Sequence, residues 1–380
     1  MRVAIVAESF LPAVNGVTNS VLRTVEHLNR RGHEPMVIAP SPGAVAGGHR
    51  AIERTVGVPV VWLPAVRLPG YRSFRVSPVG VGRVRGVLRE VAPDVVHLAS
   101  PFVLGWDAVR AARLLGLPTV AVYQTEVPTY AARYGFGGLE PLLWRRVCDI
   151  HRRAHRTLAP STAACASLRD RGVPEVRWWG RGVDLDRFRP ERRSRRLRAR
   201  FGPPDVVAVG YVGRLAAEKQ LEDLAVLRDL DGVRLVIVGD GPYRARLERL
   251  LPGALFLGLQ GGTHLAACMA SFDVGVHPGE HETFGQAVQE KLASGVPVVA
   301  VAAGGMLDLV QDGGNGLHYA AGDLAGMRTG VAALASDPER RLLMGRAARE
   351  SVGNRGWDRF GDLLITHYDE VRQVGQVAAA

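Results

Sequence analysis

The feature that most constrains this chain is a rhythm. Short β-branched and apolar runs alternate with amphipathic stretches, in two separate series. The first series falls at residues 2–7, 35–39, 60–63, 94–98 and 119–123, the second at 206–212, 234–238, 255–257, 274–277 and 298–301. The runs are apolar along their length rather than alternating, which marks strands covered on both faces. The segments between them, such as 20–31, 221–230 and 244–251, carry helical spacing. Parallel strands need long crossover connections, and helices supply them. The two series therefore predict an α/β protein with two Rossmann-like, doubly wound parallel-sheet domains.

The length of 380 residues accommodates two such domains. The first is expected over 1–181 and the second over 205–356. The stretch between, GVDLDRFRPERRSRRLRARFGPP at 182–204, is dense in charge and ends in Gly-Pro-Pro. It reads as an interdomain linker holding a short basic helix. A last helical pattern at 357–376 follows the second sheet. No apolar run reaches transmembrane length. The opening MRVAIVAESF reads as a buried strand and not as a signal peptide. Cys148, Cys165 and Cys268 form no CxxC pair. That predicts a reduced, cytoplasmic setting with neither structural zinc nor disulfides.

The formal net charge is +11. A basic surface implies anionic partners, whether nucleotide phosphates, anionic lipid or nucleic acid, and charge alone does not choose among them. Lysine occurs only at Lys219 and Lys291. In a chain that otherwise spells cation as arginine, Lys219 stands out.

Ligands of open α/β sheets bind beyond the carboxyl ends of the strands, so the loops there are the candidates. ESFLPAVNGV, residues 8–17, places Asn15 and Gly16 before a helix expected near Thr18. Glycine admits a close ligand and helix amides welcome an anion. This loop is neither GxGxxG nor a P-loop, and a plain strand–helix turn is an equal reading. GRLAAEKQLEDL, residues 213–224, brings Arg214 and Lys219 to one loop. With a helix expected from about Ala217, Lys219 would oppose the helix dipole unless an anion sat nearby. Two converging cations suit a diphosphate, though a solvated charged face would have the same letters. VIVGDGPYRARL, residues 236–247, makes a tight turn around Gly241. It would line a nucleotide or serve turn chemistry alone.

The fourth loop, HPGEHETFGQAVQE at 277–290, sets Glu282 and Glu290 eight residues apart. Thr283 and Gln286 fit a helix capping box, which is the structural reading. The functional reading rests on carboxylates accepting two hydroxyl hydrogen bonds at once, as sugar and ribose diols offer. Amides near Phe284 and Gly285 would point in front of the helix. Two carboxylates, two cations and a helix N-terminus together match a nucleotide sugar.

These four motifs, in this order, resemble glycosyltransferase family four, and the resemblance runs over almost the whole chain. It implies a retaining enzyme of the GT-B class, with two Rossmann-like domains facing a central cleft. AVYQTEVPTYAARYG (121–135) and HPGEHETFGQAVQE look most like GDP-mannose-dependent α-mannosyltransferases of actinobacteria. The resemblance implies that Glu282 holds the donor sugar with the backbone at Phe284 and Gly285. Glu290 would bind the ribose, Arg214 and Lys219 the diphosphate, and Asn15 and Gly16 would admit the donor phosphates. The helix at 357–376 would return to the first domain. Many relatives carry histidine where this chain has Gln124. Glutamine is no general base, but it can position a sugar hydroxyl. His97 is a second candidate for that task, against the reading of a satisfied strand-end histidine.

No metal or other cofactor is expected. Asp184-Leu185-Asp186 has the letters of a metal-binding DxD motif but lies away from the phosphate loops and reads as structural. The acceptor, a glycolipid or small-molecule glycoside, would meet the basic loop RLPGYRSFRVSP at 67–78, through Tyr71 and Arg75. Arg145, Arg146, Arg152, Arg153 and Arg156 on an expected helix suggest contact with an anionic membrane, against a solvated surface in an arginine-rich chain. A dehydrogenase is disfavoured by the missing GxGxxG. A nucleic-acid-binding protein fits the charge, but aromatics are only 6% and no recognition motif is present. The same loops would also suit a sugar-binding module without catalysis, or a UDP-sugar enzyme of natural-product biosynthesis.

Overall fold

The computed structural model describes residues 1–13, 15–43, 48–68, 71–126, 128 and 137–377. The chain divides into two units. One comprises Met1–Pro128, Gly138–Arg181 and Asp358–Ala380, and the other is built on Gly182–Trp357.

The first unit holds β1 (Arg2–Ala7), β2 (Glu34–Pro40), β3 (Val60–Leu63), β4 (Val66–Leu68), β5 (Tyr71–Val76), β6 (Val95–Ala99), β7 (Thr119–Val122), β8 (Arg156–Ala159) and β9 (Val176–Trp178). Seven of these form one parallel sheet in the order β3-β2-β1-β6-β7-β8-β9, and β4 and β5 pair antiparallel as a separate two-stranded sheet. The order reverses between β1 and β6, in register Val3 with Val95 through Ala7 with Ala99.

The unbroken apolar character of β1 has a direct cause. Val3, Ile5 and Ala7 pack into a cluster with Phe360, Leu364 and Tyr368. Ala4 and Val6 face the opposite cluster, with Leu88 and Leu104. Both faces are covered by helices, so no position of the strand's interior meets water. Phe360, Leu364 and Tyr368 belong to the helix Trp357–Val377, which is anchored to the first unit by polar contacts as well. Trp179 Nε1 donates to the Phe360 carbonyl at 2.8 Å, and His27 Nε2 lies 2.9 Å from Asp362 Oδ1. A Cβ at Gly361 would collide with the His27 ring, so glycine lets this helix approach Gly16–Arg30.

The second unit holds β10 (Val207–Val212), β11 (Val233–Val238), β12 (Leu255–Gly258), β13 (Val274–His277), β14 (Val298–Val301) and β15 (Gly316–Tyr319). They form a parallel sheet in the order β12-β11-β10-β13-β14-β15, reversing between β10 and β13. Each unit is thus a Rossmann-like, doubly wound α/β sheet.

Three local expectations change. Residues 182–204, read from sequence as a linker, fall within the second unit. Val183, Phe188, Leu197 and Phe201 join its core, and Arg193 pairs with Asp273 at 2.6 Å. Four apolar anchors were masked by the charge around them. The stretch 217–230 is not an α-helix. Two 3₁₀ turns, Ala217–Lys219 and Leu221–Leu227, are broken at Gln220, whose φ of 51° is left-handed. The helix-dipole conflict expected at Lys219 therefore does not arise.

The basic helix Glu140–Arg153 carries Arg145, Arg146, Arg152 and Arg153, but Arg156 sits in β8, buried and paired with Glu370. Arg146 stacks 3.9 Å over the Trp106 ring, Arg152 donates to the Gly172 carbonyl, and Arg153 pairs with Asp149. Much of this charge serves the fold itself. The three cysteines are free and buried. Among the described residues, no helix is long and apolar enough to cross a membrane.

Candidate active site

In an open α/β sheet the ligand position is the carboxyl edge at the strand-order reversal. In the second unit that place lies beyond β10 and β13, and the loops leaving both strands carry the charged residues singled out in the sequence. β10 runs into Gly213 and Arg214. Tyr211, buried in β10, props this loop through its hydroxyl, 3.3 Å from the Arg214 carbonyl. The Arg214 side chain is about half exposed, with Nη1 3.8 Å from Glu218 Oε1. The turn after β11 is laid against the same loop. Leu215 N donates to the Asp240 carbonyl at 3.0 Å and Tyr243 N to the Leu215 carbonyl at 2.9 Å. A Cβ at Gly241 would strike the Leu215 backbone, so Gly241 is required for this stitching.

β13 ends at His277, and the following loop folds back over Lys219. Lys219 Nζ donates to Glu282 Oε1, and His277 Nε2 lies 3.4 Å from the same oxygen. The Lys219 and Glu282 side chains are each 16% exposed. Burial alone would raise the Glu282 pKa. The Lys219 charge and the His277 ring reverse that, holding the carboxyl well below the usual carboxylate range. Burial depresses His277 despite Glu282, so the imidazole is neutral at neutral pH. Gln220 clamps the loop from the side. Its Nε2 donates to Glu280 Oε1 at 3.1 Å and its Oε1 accepts from Glu280 N at 3.0 Å.

The helix Gln286–Ala293 begins without a capping box. Its N-cap is Gly285, left-handed at φ 94°, a residue with no side chain to cap with. Gln286 Oε1 has no hydrogen-bond partner among the described residues, so the reach back to Thr283 expected of a capping box is not made; backbone holds the loop as well, Gly305 N donating to the Glu282 carbonyl at 2.8 Å. A Cβ at Gly305 would collide with the Phe284 backbone, which places buried Phe284 directly on this glycine. Gln286 instead donates to Glu290 Oε1 at 3.2 Å and to the Gly182 carbonyl at 3.1 Å. Glu290 thus lies one turn inside the helix, on the face of Gln286.

In the first unit, Asn15 caps the helix Gly16–Arg30, accepting from Val17 and Thr18 amides, and donates to Ser9 Oγ at 2.7 Å. Gln124 lies beyond β7, buried, and its Oε1 accepts from Arg181. The same guanidinium donates to the Gly16 carbonyl at 3.1 Å. The structure therefore joins Gly16 and Gln124 through a third residue that sequence reasoning passed over.

His97 is not at a site. It is buried in β6, Nδ1 lies 2.7 Å from the Tyr368 hydroxyl, and burial pushes its pKa down to about 3. It is a satisfied core histidine. Arg75 is turned onto its own unit, donating to the Ala65 carbonyl at 2.8 Å. The side chain of Tyr71 lies outside the described residues. Asp184 is a turn residue: its Oδ1 accepts from Arg187 N at 3.0 Å and Oδ2 pairs with Arg187 at 3.3 Å. Among the described residues, no group of three or more His, Cys, Asp and Glu is arranged to hold a metal ion.

Sequence reasoning missed Arg181, His277 and Lys291. The rarity of lysine is a usable signal for Lys291 as much as for Lys219. His277 is visible only as the first letter of the fourth loop.

Two Rossmann-like units, with a lysine–carboxylate pair at the switch point of the second, match the arrangement expected of a nucleotide-sugar-dependent glycosyltransferase. Known proteins bear this out. Residues 14–187 match the model of Glycosyltransferase Family 4, and residues 195–351 match that of Glycosyl transferases group 1. The chain belongs to glycosyltransferase family 4. It is 50% identical over 376 residues to a GDP-mannose-dependent alpha-mannosyltransferase of Mycolicibacterium smegmatis, covering 98% of both chains. It is 48% identical to the enzyme of that name from Mycobacterium tuberculosis, covering 98% of this chain and 97% of the relative. The fold is shared with Anabaena Alr3699/HepE in complex with UDP and glucose, at TM-score 0.77 and 18% identity over 97% of this chain and 99% of that one. Sucrose-phosphate synthase from Thermosynechococcus elongatus shares it too, at TM-score 0.78 and 18% identity over the whole of both chains.

Proposed function

We propose that this glycosyltransferase is a retaining, metal-independent mannosyltransferase that moves mannose from GDP-mannose to a hydroxyl of a glycolipid or small glycoside. The observation that carries the reading is the Lys219–Glu282 pair, held with His277 at the switch point of the second sheet. Identity near one half to GDP-mannose-dependent relatives supports the choice of donor.

Glu282 is the residue for the sugar hydroxyls. It is anionic, rigid and accepting, and its partners fix where its remaining lone pairs point. Phe284 and Gly285 bring backbone to the same sugar. Lys219 carries three N–H donors, so bonding Glu282 does not exhaust it, and with Arg214 it faces the diphosphate. Glu290 takes the ribose. Asn15, as cap, shapes the Gly16 loop that admits the donor phosphates. Gln124, oriented by Arg181, positions the acceptor hydroxyl, and Tyr71 and Arg75 belong to the acceptor side only through the basic stretch they share, which forms the strand β5 rather than the loop expected.

No group among these is an evident nucleophile on the sugar. In the proposed reaction the glycosidic C1–O bond breaks, the electron pair leaves with the diphosphate, and the acceptor oxygen bonds C1 from that same face. The acceptor proton passes to the departing phosphate oxygen. Lys219 and Arg214 stabilise the charge that grows there, which is the task a metal would otherwise have. We place the enzyme in the cytoplasm. Contact with anionic lipid would use Arg145 and the arginine shelf on Trp106, and sedimentation with anionic vesicles at low salt tests it, since absence of binding there removes it.

The experiment that tests the donor is a thermal-shift comparison of GDP, UDP and ADP, then of their sugars. GDP and GDP-mannose should raise the melting temperature most. A larger shift with UDP would overturn the guanine assignment in favour of a UDP-sugar enzyme.

A further inference from the structure

Lys291 is the chain's other lysine, and it is wholly buried. It follows Glu290 on the helix Gln286–Ala293 but turns inward, beneath the sheet edge that carries the site. Nζ donates to the Val276 carbonyl of β13 at 3.0 Å and lies 5.7 Å from the centre of the Tyr211 ring of β10. A Cβ at Gly275 would come within 2.8 Å of Lys291 Cδ, so the glycine in β13 makes the room for this side chain. Among the described residues Val276 is the one hydrogen-bond acceptor of Lys291. A charged ammonium has three donors to satisfy, and leaving them without acceptors in an apolar interior is costly.

The groups around this amine are those of the site. Tyr211 stacks on His277, with ring centres 6.1 Å apart and planes at 20°. Tyr211 props Arg214, and His277 abuts Glu282. Lys291, Tyr211 and His277 thus form a tier under the two loops assigned to the diphosphate and the sugar. Glu282 and Glu290 both favour the charged amine. Burial outweighs the two carboxylates and brings the Lys291 pKa down to about 7.

We propose that Lys291 is a positioning residue for the donor: a buried, proton-sensitive cation that supports the floor beneath Glu282 and Arg214 and strengthens donor binding when it is charged. The inference rests on the donor reading above. A diphosphate arriving at Lys219 and Arg214 adds negative charge over this floor. That favours the protonated amine, and by linkage the protonated amine favours the diphosphate. Each unit by which donor raises the Lys291 pKa corresponds to about tenfold in affinity between its two protonation states.

Two lysines in 380 residues make the test direct. In full-length protein labelled with ¹³C at lysine Cε, two signals are expected, and Lys291→Met assigns them. One signal should titrate near neutrality and move to higher pH when GDP is added. In kinetics, the wild-type donor KM should rise on the order of tenfold from about pH 6 to about pH 8.5, with a much smaller change in kcat. Lys291→Met should hold the higher KM at both pH values. Methionine fills the same apolar space, so this variant should fold, and its melting curve confirms that.

A Lys291 signal that titrates at the ordinary lysine value overturns the inference. So does a Lys219 signal that moves with GDP while that of Lys291 stays still, or a pH dependence of KM unchanged in Lys291→Met. Absence of any GDP-induced rise in melting temperature removes GDP as donor nucleotide and the inference with it, whereas GDP binding with both signals still overturns the inference alone.

Discussion

Exchanging Glu282 for glutamine changes one charge and almost no volume, and the site predicts opposite effects on two ligands. The carboxylate is mostly buried, and Lys219 and His277 converge on one of its oxygens. In Glu282→Gln one carbonyl oxygen remains to accept from Lys219. What is lost is a charged acceptor for the sugar. Each hydroxyl bond to a charged group contributes about 1.5–3 kcal/mol, against about 1 kcal/mol for a neutral one. With two sugar hydroxyls the loss is about 1–4 kcal/mol, or roughly 5- to 1000-fold in GDP-mannose affinity. GDP has no sugar to lose. It meets a Lys219 whose neighbouring negative charge is gone, so its affinity should hold or rise. Calorimetric titration of both ligands into both proteins reads this directly. Parallel weakening of GDP and GDP-mannose would refute the assignment of Glu282 to the sugar.

Other expectations follow from the same contacts. Lys219→Ala should lower turnover roughly 100-fold or more, since losing one placed electrostatic donor costs about 2.7–4 kcal/mol of barrier. Arg214→Ala, at a half-exposed residue, should lower it by less, and near-normal turnover at saturating donor would remove either residue from the mechanism. Activity should survive dialysis against a chelator, with loss and recovery on adding magnesium as the contrary result. His97→Phe should leave the donor and acceptor KM values unchanged while lowering the melting temperature, because its partner is Tyr368 in the core. Finally, unfolding free energy should climb between about pH 7 and pH 10. In that window the unfolded chain holds a proton on Lys291 that the folded one lacks, so stability rises with pH. Lys291→Met should flatten that slope, and an unchanged slope would place Lys291 elsewhere.

Strand identity was legible because burial on both faces leaves an unbroken apolar run, as in β1 and β10. Glu282, Arg214 and Lys219 stood out as candidates because they follow such runs closely, where a parallel sheet delivers its ligands, and Glu290 lies one turn into the next helix. Positions that depend on what approaches from elsewhere in the chain were not legible. Thr283 and Gln286 have the letters of a capping box, yet Gln286 turns its amide to Glu290 and to the Gly182 carbonyl from far back in the chain. Residues 182–204 look like linker because charge dominates their composition, while four spaced apolar side chains bind them to a core.

By itself the sequence determined the two parallel sheets, the loops that follow their strands and the family to which the chain belongs. These depend on local pattern: periodicity, turn residues and short motifs read within a few positions of one another. Tertiary structure alone decided that Lys219 is paired with Glu282, that His97 is spent on Tyr368, that Arg181 links Gly16 to Gln124, and that Lys291 lies buried beneath the site. The reason is physical. Ionisation, orientation and access of a side chain are set by the dielectric and the partners around it, and those arrive from strands and helices distant in sequence.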